Sequence, residues 1–210
     1  MLVFLHGLGQ TPGSWTETIQ KLNPAGPSLC PNLAELLQGK DPDYQSLYEA
    51  VSALCSQVDG TLDLCGLSLG GVLALQYAIE QPRKVRSLVL IAPQYRMPKT
   101  LLKVQNLLFR FMPERAFQST GFGKKAFIRL CGSMMDLDFT SALSAVGCPV
   151  LVLCGERDSA NKKAAAKLTE LLPDAEMQEI PGAGHEVNLD APEQLAGVLS
   201  RFCQRMEQGG

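Results

Sequence analysis

The sequence predicts a single α/β domain, with a mostly parallel sheet of about six strands, helices on both faces and a short helical insertion. Three observations carry that reading. Short β-type apolar runs alternate with helical periodicity along the chain. Two of the runs, VRSLVLIAP (85–93) and CPVLVLCGE (148–156), are apolar almost throughout, as strands buried on both faces are. The alternation lapses once, from Tyr95 to Phe139, where helical material appears without a convincing strand.

In chain order, MLVFL (1–5) is the first strand and PSLCPNL (27–33) a weak second. DYQSLYEAVSALCSQV (43–58) has Leu47, Val51, Leu54 and Val58 at three- and four-residue spacing, which predicts a helix. TLDLCGL (61–67) is a strand, and GVLALQYAIEQP (71–82) a helix stopped by Pro82. After the strand at 85–93, KTLLKVQNLLFRFM (99–112) and GKKAFIRLCG (123–132) are the helices of the insertion. The strand at 148–156 leads to a helix at 161–173, a weaker strand at 175–182 and a closing helix at 192–206.

Composition narrows the function. The 210 residues, 46% hydrophobic and 19% charged, suit one soluble domain with its own core. A net charge of −2 gives no bulk attraction to nucleic acid or an anionic membrane surface. Only five apolar residues precede His6, without a basic lead-in, so neither a signal peptide nor a membrane span is expected there. No later run approaches the roughly 20 apolar residues of a spanning helix. The seven cysteines are scattered without CxxC spacing, and two histidines offer little for a metal site, so no metal or organic cofactor is expected and the cytoplasm is the expected compartment.

The chemistry centres on Gly66-Leu67-Ser68-Leu69-Gly70, a G-x-S-x-G pentapeptide between a predicted strand and a predicted helix. A serine on such a tight turn has a strained backbone and close neighbours, which glycines on either side permit. The alternative is a glycine-rich turn in which Ser68 only caps the helix. A serine nucleophile requires a base. His185, in IPGAGHEVNLDAPEQL, lies in a Gly-rich loop between the last strand and the last helix, where it can reach the C-terminal edge of the sheet. Imidazole as base needs a carboxylate to orient it. Asp158 follows the strongest strand in LVLCGERDSA, with Glu156, Asp136 and Asp138 as competitors. The order Ser68, Asp158, His185 is that of nucleophile-elbow hydrolases. His6 follows the first strand and is expected to hold its loop by hydrogen bonds, while the backbone N–H groups of Leu8 (or Gly9) and Leu69 are the candidate oxyanion donors.

Together, LHGLG, GLSLGG, GERD and GAGHEVNLDAPEQL resemble the α/β-hydrolase family, in order and over nearly the whole chain. The resemblance implies Ser68 as nucleophile, Asp158 as acid, His185 as base and an insertion at 95–139 serving as a helical cap. Members with a GLSLGG-like elbow and a short lid include carboxylesterases, acyl-carrier-protein esterases and the menaquinone-pathway synthase. The chain departs from the family in two places, and from the synthases in a third. The antiparallel strand pair that usually precedes the H-G strand is missing, which implies a reduced sheet or an upstream start. Asn32 and AELLQGKDPD stand where relatives often carry an Asp and a Gly-x-Gly turn, and Val72 stands where the synthases carry an arginine.

Residues 95–139 hold eight basic and three acidic residues, a local +5 on a chain of −2. Such charge fits either a lid that attracts an acidic substrate or a solvated helix face. The first cap helix is also rich in apolar residues (Leu101, Leu102, Val104, Leu107, Leu108, Phe109, Phe111 and Met112), so an apolar acyl pocket is expected, with Leu108, Phe111 and Phe122 in its wall. Membrane-surface association by this helix is the minor reading. The expected function is hydrolysis of a small-to-medium acyl ester or thioester through an acyl-enzyme on Ser68. The rivals are a triad-based lyase or synthase without an acyl-enzyme, and a catalytically silent binding homologue. The leaving group, pathway and oligomeric state carry no sequence signal.

Overall fold

The computed structural model describes residues 1–208; the side chains of Leu101, Val104 and Ser119 lie outside the described set. The chain runs β1 (Leu2–Leu5), α1 (Thr16–Leu22), β2 (Ser28–Leu29), α2 (Leu33–Leu36), α3 (Tyr44–Ser56), β3 (Leu62–Leu67), α4 (Leu69–Glu80) and β4 (Val85–Ile91). It continues through α5 (Lys99–Phe111) and α6 (Lys124–Ser133) to β5 (Val150–Gly155), α7 (Ser159–Leu171), β6 (Ala175–Ile180), α8 (Val187–Asp190) and α9 (Pro192–Gln208). The six strands form one sheet in the order β2-β1-β3-β4-β5-β6, every pair parallel. No antiparallel strand precedes β1 among the described residues.

The continuous apolar strands follow from burial on both faces. Val3, Leu64, Leu88, Leu90, Val150 and Val152 face the side covered by α3, α4 and α7. Their neighbours Phe4, Cys65, Val89, Ile91, Leu151 and Leu153 face Leu195, Leu199 and Phe202 of α9 on the other side. Successive strand residues point to opposite faces, so both sets must be apolar. The edge strand β6 exposes Glu176, Gln178 and Glu179, polar side chains that discourage pairing with another chain.

The structure differs from the sequence expectation in two local respects. The second strand shrinks to Ser28–Leu29, because Pro27 and Pro31 flank it and cannot donate to a ladder, and Asn32 already caps α2 through the Ala34 N–H. Helices α1, α2 and α8 have no counterpart in that expectation; α1 is under two turns long and ends at Asn23 in the left-handed region, and α2 and α8 span four residues each.

Two features of this frame position the site. First, the chain turns from β1 out to β2 and back to β3 on the opposite side of β1. That reversal opens a crevice at the C-terminal ends of β1 and β3, the usual ligand position in open α/β sheets. Second, the excursion between β4 and β5 is pinned at its stem, where Met97 N–H donates to Leu137 O (3.0 Å) and Phe139 N–H to Tyr95 O (2.8 Å). Inside it, Phe109, Phe117 and Phe127 pack edge-on, with ring centres 5.1–6.1 Å apart.

Helix α4 lies against the sheet with no room for a side chain at Gly70, where a Cβ would fall on the Leu5 carbonyl. Gly70→Ala is expected to cost about 3 kcal/mol or more, since backbone cannot yield as a side chain does. Gly123→Ala, with open space around its Cβ, is expected to stay within about 0.5 kcal/mol. Urea denaturation midpoints of the two variants check the contrast.

Candidate active site

Ser68 is the last residue before α4 and has φ 52° and ψ −112°, a left-handed conformation rare outside glycine. The sheet imposes it. The Ser68 N–H donates to Ile91 O on β4 (2.9 Å), while its carbonyl accepts the first α4 bond from Val72 N–H (3.0 Å). The flanking glycines let the turn close: a Cβ on Gly66 would collide with the Gly70 carbonyl, and one on Gly70 with Leu5. Leu69 is the first residue of α4, so its N–H is one of the unpaired amides at a helix start.

The loop after β1 brings Leu8 beside this turn, and both residues line the same cavity. Among the described residues, neither the Leu8 nor the Leu69 amide has a protein acceptor. His6 fixes the loop. It is fully buried; Nδ1 donates to Gly7 O (2.9 Å) and Nε2 accepts from Leu33 N–H (3.1 Å), the neutral form in one tautomer. Burial lowers its pKa below the ordinary 6.5, against a smaller opposing effect of the Gly7 carbonyl.

His185 and Asp158 arrive from two neighbouring loops. Glu156 N–H donates to Ile180 O, and Arg157 N–H to Ala183 O (2.9 Å), zipping the end of β5 to the loop after β6. Gly155 makes the contact possible, since a Cβ there would strike the carbonyls of Gly184 and Ala183. Asp158 is buried and His185 half-exposed, with Nδ1 2.8 Å from Asp158 Oδ2. With Nδ1 engaged, Nε2 is the nitrogen left over, and among the described residues it has no hydrogen-bond partner; Ser68 and His185 line the same cavity. The competing carboxylates are engaged elsewhere: Glu156 accepts Gly182 N–H, Asp136 pairs with Lys99, and Asp138 with Arg96.

Ser68, Leu69, Leu8, Asp158 and His185 share a cavity of about 660 Å³. Its walls under the insertion are apolar, formed by Val72, Met97, Leu102, Phe127, Cys131 and Met134; its polar members are Gln94, Gln105, Asn161 and Lys163. None of the three side chains expected in its wall lines it. Leu108 and Phe111 face solvent, 60% and 81% exposed, and Phe122 is buried without reaching the cavity. The reason lies in α5, whose inward stripe runs through Leu102, Asn106 and Phe109, with the polar Asn106 taking a buried position. Burial raises the Cys131 thiol to about 12, so it stays protonated at neutral pH. Among the described residues no group of three or more His, Cys, Asp or Glu side chains could hold a metal ion.

Sequence reasoning missed three polar side chains. Gln10 and Asn188 exchange amide bonds (both 3.1 Å), and Asn188 also donates to Ser14 O, tying the loop after β1 to the segment after His185. Asn161 contacts both oxygens of Asp158 (2.8 Å each). Its position three residues after Asp158, one helical turn along, is the only signal that pointed to it.

The chain belongs to the α/β hydrolase family, whose sequence model matches residues 2–198. It is 26% identical over 235 aligned residues to a pimeloyl-[acyl-carrier protein] methyl ester esterase of Nitrosomonas europaea, covering 94% of this chain and 93% of that protein. Among solved structures it is similar to an enol-lactonase from Burkholderia xenovorans (TM-score 0.82, 16% identity, 97% of this chain and 90% of that one). It is also similar to a carboxylesterase from the thaumarchaeon Nitrososphaera gargenis (TM-score 0.81, 19% identity, 100% and 91%). At these identities the structural likeness shows the fold. Among the described residues no helix is long and apolar enough to cross a membrane.

Two consequences can be measured. Gly155→Ala is expected to push the His185 loop outward and slow labelling of Ser68 by a fluorophosphonate about tenfold or more, with a stability loss of about 1–3 kcal/mol. The lowered pKa of His6 makes the unfolded chain bind a proton that the native state refuses. That contribution to stability is complete above pH 6.5 and lost as the pH falls below it. Urea midpoints between pH 7.5 and 5 are expected to fall, with a shallower slope in His6→Gln.

Proposed function

We propose that this chain is an ester-cleaving serine hydrolase. The observation that carries the proposal is the 2.8 Å His185–Asp158 contact in the cavity that also holds the strained Ser68. Ser68 Oγ attacks the ester carbonyl as His185 Nε2 takes its proton. Asp158 keeps the Nδ1 tautomer and stabilises the imidazolium. The Leu8 and Leu69 amides receive the oxyanion, each such donor being worth about 2.7–4 kcal/mol in the transition state. His185 then returns the proton to the departing alcohol, and water, activated by the same base, cleaves the acyl-enzyme.

Residues 95–139 serve as a cap over the acyl end of the cavity. The apolar walls suit an acyl chain of small to medium length, and the relatives named as methyl ester esterases favour a small alcohol as leaving group. Val72 gives the cavity an apolar wall where a synthase would carry arginine, which favours ester hydrolysis over a lyase reaction. The seven unpaired cysteines fit a reducing compartment such as the cytoplasm.

Hydrolysis of p-nitrophenyl esters from acetate to decanoate, by wild type and Ser68→Ala, tests the reading. Turnover with a preferred chain length is expected, falling by roughly 10⁴-fold or more in the variant. Equal rates in the two folded proteins would refute it.

A further inference from the structure

We infer that Asn161, braced by Gln94, is a positioning residue of this site, which holds the Asp158 carboxylate in one orientation and shares it with His185. The inference rests on the proposed function, and its foundation is a count of donors. Asp158 is buried, and a buried carboxylate must have its lone pairs occupied. Among the described residues no backbone N–H reaches its side-chain oxygens; only two groups do. His185 Nδ1 lies 2.8 Å from Oδ2, and Asn161 Nδ2 lies 2.8 Å from both Oδ1 and Oδ2. The two donor nitrogens stand 3.2 Å apart, converging on one carboxylate rather than bonding to each other.

An asparagine side chain presents a donor at one end and an acceptor at the other, so it can also turn its oxygen toward the carboxylate and repel it. The carboxylate, which only accepts, decides which end faces it: Nδ2 turns to Asp158, and Gln94 Nε2 donates to the remaining Asn161 Oδ1 at 2.6 Å, bracing the side chain in that orientation. Gln94 is itself aimed by the end of β4, where Ala92 takes a left-handed φ of 48° and Pro93 follows. Both amides line the cavity, so the relay runs from the cavity wall through Gln94 and Asn161 to Asp158 and His185.

The relay acts on the base through geometry. It fixes the carboxylate plane, so that one oxygen receives Nδ1–H and Nε2 is left for the nucleophile. Without Asn161, His185 becomes the sole donor to a buried carboxylate that is free to turn, and the imidazole loses its alignment.

The test uses proton NMR of the His185 Nδ1–H, whose far-downfield signal reports its hydrogen bond to Asp158; the chain has two histidines, so the signal is assigned by its loss in His185→Ala. The signal is expected to shift and broaden in Asn161→Ala, and to do so less in Gln94→Ala. With p-nitrophenyl butyrate, Asn161→Ala is expected to lower kcat about 10- to 100-fold, with KM within about twofold. A signal unchanged from wild type in both variants overturns the inference, even if activity falls, because a purely structural side chain would leave it in place. Should Asn161→Ala fail to fold, Gln94→Ala carries the test alone. Because the NMR signal needs no turnover, it is decided separately from the esterase reading.

Discussion

Three segments of backbone touch in this molecule where side chains would have held them apart, and the site depends on those contacts. Gly70 lies on the carbonyl of Leu5, Gly66 on that of Gly70, and Gly155 on those of Ala183 and Gly184. The first two press α4 into the crevice between β1 and β3 and force Ser68 into its left-handed turn. The third lowers the His185 loop onto the end of β5, next to Asp158. Parallel strands alone would end in separate loops; glycine packing lets those loops share one cavity.

Polar cross-links then keep the loops from drifting. His6 ties the loop after β1 to α2, Gln10 and Asn188 tie it to the segment beyond His185, and Asn161 in the first turn of α7 holds Asp158. Each link is buried or half-buried, so breaking it strands a donor or acceptor away from water, at about 1–3 kcal/mol. The links are neutral amides and a neutral imidazole, which hold geometry without adding a second charge beside the pair. The only carboxylate in contact with His185 among the described residues is therefore Asp158.

Much of this was legible in the sequence, for local reasons. The elbow pentapeptide, the histidine before the last helix and the aspartate after the strongest strand each sit in a short segment whose pattern states its own conformation. The sheet was legible because burial on both faces leaves a continuous apolar run. The cross-links were not. Gln10 and Asn188 are 178 residues apart, and no local pattern announces a partner at that distance. The cavity wall was misjudged for a different reason. An amphipathic helix advertises its apolar residues but not the direction in which it docks, and α5 buries Asn106 while leaving Phe111 in solvent. Sequence periodicity reports which residues are apolar; tertiary packing decides which of them meet.

The same distinction divides chemistry from specificity within the fold. Ser68, Ala92, Asp158 and the loop of His185 are fixed by hydrogen bonds to the sheet: Ser68 N–H to Ile91, Ala92 N–H to Leu153, Asp158 N–H to Gly155, Ala183 N–H to Ile180. Both left-handed residues that line the cavity, Ser68 and Ala92, belong to this group, and strain of that kind persists only where the surroundings over-determine the backbone. The opposite wall belongs to the excursion between β4 and β5, held by two stem hydrogen bonds, ion pairs and the packing of its own phenylalanines. Met97, Leu102, Phe127 and Met134 can therefore change in size with little effect on the geometry of Ser68 and His185. A floor fixed by hydrogen bonds to the sheet thus lies beneath a wall held by packing of its own, and the two parts of the cavity can vary separately.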